Sequence, residues 1–179
     1  MRTLAALLLI AFTATAQQQS QQQRPANWRD ILNSRLSLYG HHNWVVIADA
    51  AYPLHSGAGI ETVDSDSDQI STIRAVLAAI RRTHNLRPVV YLDLELPRVQ
   101  DADAPGAGGY RQELLSFVRD AISRPHDEML RRIDEVGRSF SVLVVKTNML
   151  VPYSAVYIEL WPSYWSDEAE QRLRQSFRP

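Results

Sequence analysis

The run Trp44-Val45-Val46-Ile47-Ala48 constrains the fold more than any other stretch of the chain. It is apolar throughout, rich in β-branched side chains and lacks the alternation of a strand with one wet face, so it reads as a strand buried on both faces. Such a strand needs helices on either side of its sheet, and the flanking sequence supplies them. Asn27 is an N-cap followed by Trp28, Ile31, Leu32, Leu36 and Leu38 at helical spacing, up to Gly40. Asp64 to Asp68 offers N-caps for a second helix whose apolar face is Ile70, Ile73, Val76, Leu77 and Ile80. Residues 59–63 read as a short strand, 88–96 as a longer one, and 101–109 as a glycine-rich loop. Helices are expected over 110–123 and 126–138, separated at Pro125. Residues 141–146 and 155–160 then read as a hairpin-like pair of closing strands, and Ser166 or Asp167 caps a final helix. The expected fold class is α/β, a three-layer α/β/α single domain with a central parallel or mixed sheet.

The chain opens with Met1-Arg2-Thr3, an apolar core from Leu4 to Phe12 and Ala14-Thr15-Ala16, the pattern of a secretory signal peptide over residues 1–16. The apolar core falls short of the ~20 residues that span a bilayer, so no membrane contact is expected after cleavage. Gln17 to Gln23 has nothing apolar to bury, and residues 17–26 read as a disordered linker. The remaining stretch, 27–179, suits one domain with an aromatic and helical extension from about residue 161. A secreted or periplasmic location follows. With 0 cysteines, stability must come from packing or assembly rather than disulfides. A net charge of −1 with interspersed acids leaves no basic stripe for nucleic acid.

Functional groups concentrate around the Trp44 to Ala48 strand. His41 precedes it and Asp49 follows it, where ligands bind in α/β sheets, beyond the carboxyl ends of strands. Histidine titrates near neutrality and suits proton transfer, although a histidine ending a helix also complements its dipole. His42 is the competing candidate. A metal site built on His41, His42 and Asp49 is not expected, because adjacent side chains point apart and no helical histidine pair supports them. Asp49 binds a ligand or closes the next turn through backbone amides. His55 lies in the loop beyond, and Tyr153 and Ser154 precede the strand expected over 155–160.

Gly40-His41, a spacer, an apolar strand, Asp49-Ala50 and Tyr52-Pro53 resemble the opening motif of the D-ribose pyranase and L-fucose mutarotase family. His55-Ser56 matches its fucose-type branch, and Val151 to Ile158 falls where the family carries a tyrosine turn. The likeness covers about residues 28–161. It implies an isomerase that interconverts anomers or ring forms of a free monosaccharide by acid/base ring opening, with no cofactor and no metal. By the same resemblance His41 is the proton donor, and Asp49, His55, Tyr153, Ser154 and Ala155 contact the sugar. His126 and Arg131 lie near a further polar contact of the family. The resemblance also implies a homo-oligomer in which the tyrosine turn of one subunit completes its neighbour's site. Two positions depart from the pattern: Ala51 stands where a histidine is common in the fucose-type branch, and Ala155 where the family has an asparagine. They motivate an alternative, a non-catalytic sugar-binding or sensing module of the same fold.

Overall fold

The structure, a computed structural model, describes residues 27–177. The expected signal peptide and the Gln-rich linker lie outside the described residues. Helix α1 spans Trp28–Leu36, with the Asn27 side chain accepting from the Arg29 amide. Strands β1 (Trp44–Ala48) and β2 (Ile60–Asp64) precede α2 (Gln69–Arg82), whose N-cap Asp68 accepts from the Ser71 amide. Next come β3 (Leu86–Asp93), α3 (Ala107–Phe117), the short β4 (Ile122–Arg124) and α4 (His126–Val136). Strands β5 (Val142–Lys146) and β6 (Val156–Pro162) and helix α5 (Asp167–Ser176) complete the order.

The strands form one mixed sheet of six in the order β2-β5-β1-β6-β3-β4. Only β6 runs against the others, antiparallel to both β1 and β3. All five residues of β1 are buried, as its composition requires, and both its edges are paired, with β5 on one side and β6 on the other. The expected hairpin of β5 and β6 is therefore absent. The most apolar strand sits between them, where neither edge nor face meets water.

Side chains alternate between two cores. Val45, Ile47, Leu143, Val145, Val156 and Ile158 face α1, α2 and α3. Trp44, Val46, Val142, Val144 and Tyr157 face α4 through Met129 and Ile133, both fully buried. Each such side chain contributes about 1.5–3 kcal/mol by leaving water. The expected three-layer α/β/α domain is present, while α5 buries none of its residues.

Helix α1 stops at Leu36, short of Gly40, and Leu38 is left exposed. Three further boundaries moved, each for a local reason. The strand expected over 88–96 stops at Asp93, because the chain turns there into a short 3-10 segment, Leu96–Arg98, containing Pro97. The loop expected over 101–109 gives way to α3 at Ala107. Gly106 adopts φ 91°, and the Asp101 carboxylate accepts from the Gly106 and Gly108 amides, capping the new helix. The helix expected over 110–123 ends at Phe117, and residues 122–124 pair with the carboxyl end of β3.

Candidate active site

Five strands end on one edge of the sheet, where β6 begins. Alternation along β3 puts Asp93 on the α4 side with Tyr91. Pro125, the N-cap of α4, has no side-chain donor or acceptor to offer, so Glu95 caps the helix instead. Its two oxygens accept from the His126 amide at 3.2 and 3.1 Å. That cap ties the start of α4 to the end of β3 and brings His126 Nδ1 to 3.0 Å from Asp93 Oδ2. Asp93 is fully buried and the His126 side chain is 22% exposed. Burial raises the Asp93 carboxyl to about 6, against the opposing pull of His126 and Tyr157. Nδ1 is held by the carboxylate, so Nε2 is the nitrogen an outside group meets.

Tyr153 stands beside this pair, with its ring edge-on to His126 at a centroid distance of 5.2 Å. Its φ of 57° is left-handed, which costs a residue with a side chain about 1–2 kcal/mol. The next residue is locked in compensation. The Ser154 carbonyl accepts from Gln69 Nε2 at 2.5 Å and from the Tyr110 hydroxyl at 2.6 Å, and Gln69 Oε1 accepts from Thr147 Oγ1 at 2.7 Å. All four residues of this network are buried. The interior thus holds the turn and leaves Tyr153 39% exposed.

Asp49 lies on the same edge, just past β1, with Oδ1 accepting from the Ala51 amide at 2.9 Å and closing the turn. The other residues expected to touch a ligand are turned inward. His55 has both nitrogens engaged, Nδ1 at 2.6 Å from Asp134 Oδ1 and Nε2 at 3.3 Å from the Tyr52 hydroxyl. Its side chain is 5% exposed. Ser154 and Ala155 are fully buried, Ala155 within the core that faces α4. Arg131 is on α4, but its neighbour Arg132 is the one that approaches the sheet, 3.7 Å from Glu159.

His41 is at the opposite edge. It lies before β1 rather than after it, stacked on His42 at 3.7 Å and tilted against Trp161 at 4.5 Å. Burial, then the neighbouring His42, lowers its pKa. Strand β1 alone separates it from Asp49 by on the order of 13 Å at 3.3 Å per residue. Within one chain, His41 does not reach the edge where Asp49, Tyr153 and His126 lie.

Two shallow cavities lie away from this edge, of about 320 Å³ between α1 and α2 and about 360 Å³ beside Arg35 and Glu61. The second has a charged lining, but the Arg35 guanidinium is already paired to Glu61 at 2.6 and 3.1 Å. Among the described residues, no group of three side chains suits a metal ion, and no helix is long and apolar enough to cross a membrane.

The Asp93 and His126 pair was not legible in the sequence, where a strand running on to Leu96 hides Asp93 within it. The available signal was Pro125-His126 at a helix start, which marks a first-turn histidine without naming its partner.

No protein-family model and no curated protein sequence matches the chain. Solved structures match in fold. RbsD of Bacillus subtilis, complexed with D-ribose, aligns with a TM-score of 0.53 at 16% identity, over 73% of this chain and 91% of that one. The fucose mutarotase of Streptococcus pneumoniae, in complex with L-fucose, aligns with a TM-score of 0.52 at 18% identity, over 78% of this chain and 97% of that one. The chain therefore shares its fold with these two sugar-bound structures.

Proposed function

We propose that the chain binds a free monosaccharide at the carboxyl edge of its sheet and interconverts its anomers or ring forms by acid/base ring opening. The observation that carries this reading is the Asp93 and His126 pair beside the strained, exposed Tyr153. Ring opening removes a proton from the anomeric hydroxyl and delivers one to the ring oxygen. His126 Nε2 takes the first proton while Asp93 stabilises the imidazolium that forms. Tyr153 and Asp49 hydrogen-bond the sugar and fix its orientation. Delivery to the ring oxygen falls to His41 of a second copy, which a head-to-tail homo-oligomer would bring to this edge. Proton transfer suffices for the chemistry. Export is proposed from the signal pattern alone, independently of the sugar chemistry, and mass spectrometry of the mature chain is expected to find its N-terminus near Gln17.

Saturation-transfer NMR on ribose, fucose, glucose and galactose tests catalysis. Anomeric exchange is expected to speed up with protein and to slow by about 10²-fold or more in His126→Ala and in His41→Ala. Exchange at the buffer rate with all four sugars overturns it. One observation favours a second reading, a sugar-binding or sensing module without turnover: Ala155 lies in the core, so its turn offers the site no side-chain amide. Calorimetric heat with a sugar that shows no exchange would decide for that module.

A further inference from the structure

Behind the Asp93 and His126 pair, the interior holds two tyrosines whose hydroxyls the proposed chemistry does not use. Tyr157 is opposite Tyr91 in the pairing of β6 with β3, so it is a diagonal neighbour of Asp93 on the α4 face. Both are fully buried. Among the described residues, Tyr157 Oη and Asp93 Oδ1 have no hydrogen-bond partner of good geometry, although each tunes the other's proton affinity. Buried polar atoms are rarely left unpaired, and here two of opposite character belong to diagonal neighbours on one face of the sheet. Tyr52 packs against Tyr157 at a centroid distance of 6.3 Å, and its hydroxyl is 3.3 Å from His55 Nε2. His55 Nδ1 in turn meets Asp134, whose side chain is 54% exposed.

We propose that Tyr157 and Tyr52 form a buried hydroxyl relay joining the Asp93 and His126 pair to the His55 and Asp134 pair, with Tyr157 as the positioning residue for the Asp93 proton. The relay has two balanced arrangements. In one, His55 is doubly protonated, its Nε2–H donates to Tyr52, Tyr52 to Tyr157, and Tyr157 to an ionised Asp93 Oδ1. In the other, each hydroxyl has passed its proton one step on, so Asp93 carries the proton and His55 keeps only the one on Nδ1, facing Asp134. One proton has moved from His55 to Asp93, and nothing else is consumed. A site that borrows protons from a substrate can use this route to return them without opening to water.

The groups facing Asp93 are His126 on α4, Tyr157 on β6, Glu95 beyond β3 and, further out, Tyr52 from the loop after β1 and Tyr110 on α3. Of these, only the two relay tyrosines lead to His55. The experiment reads the proton on Asp93 directly, by the carbon-13 shift of its carboxyl across pH in the full chain, so it stands or falls apart from any sugar activity. Tyr157→Phe withdraws a donor from the carboxylate and is expected to raise the Asp93 midpoint by about one unit, and Tyr52→Phe by about half as much. Tyr91→Phe, a buried tyrosine on the same face whose hydroxyl donates to Glu159 at 2.9 Å, serves as the control and is expected to leave it in place. No shift in Tyr157→Phe overturns the proposal. A shift in Tyr157→Phe with none in Tyr52→Phe also overturns it, because the contact would then end at Tyr157.

Discussion

Replacing Asp93 by asparagine keeps the shape of the side chain and removes its charge, which makes it the sharpest probe of the buried pair. In the folded protein burial raises the carboxyl to about 6, while in the unfolded chain it returns to its ordinary value of 3.8. The native state therefore holds this proton more tightly. The resulting stabilisation is fully present below pH 3.8 and is lost as pH rises through 6. At about 1.4 kcal/mol per unit, a gap of roughly two units corresponds to about 3 kcal/mol. Asparagine has no such dependence. The stability of Asp93→Asn relative to the parent is thus expected to climb by about 3 kcal/mol between pH 3 and pH 7 and to level off there. Its absolute level is set by the hydrogen bond to His126, about 1–2 kcal/mol, that the amide keeps or loses. Urea unfolding of both proteins at half-unit pH intervals measures the difference, in which titrating groups remote from Asp93 cancel. A difference that stays flat would refute the argument that burial dominates at Asp93. One that falls with pH would mean that pairing with His126 outweighs desolvation.

Three further outcomes follow from other parts of the structure. Gln69→Leu leaves Thr147 Oγ1 and the Ser154 carbonyl each short of a partner, and a loss of about 2–4 kcal/mol in urea unfolding is expected; a loss below 1 kcal/mol would mean the network does not hold the turn. Tyr153→Gly relieves the left-handed backbone and is expected to raise stability by up to about 1 kcal/mol while weakening sugar binding, read by thermal melting beside calorimetric titration. Deleting the residues after Tyr164 removes α5, which buries nothing, and an exposed Arg87 and Asp167 pair, so stability should change by less than about 1 kcal/mol. Sedimentation of the chain from Arg24 onward, with and without that helix, reads assembly in the same samples: a monomer in both would refute the shared site.

The sequence by itself determined the elements whose reason is local. Five consecutive apolar residues had to be buried on both faces, and Trp44 to Ala48 became the doubly paired interior strand. The periodic face of α2 and the caps at Asn27, Asp68 and Ser166 set where three helices start, although α1 stops at Leu36, short of Gly40, and leaves Leu38 exposed. The motif around His41 and Asp49 pointed to the fold now seen in the two sugar-bound structures. What the tertiary structure decided was adjacency. Strands β5 and β6 each carry a pattern suited to a hairpin, but alternation specifies faces and not partners, and β1 separates them. His41 and Asp49 are eight positions apart in sequence, and only the extended path of β1 puts them on opposite edges. His55 looked free in its loop until α4 brought Asp134 to it. Asp93 and His126 are 33 residues apart; their pairing depends on where β3 stops and on Glu95 capping a helix that starts with proline. Such contacts arise from packing between segments, and no local propensity encodes them.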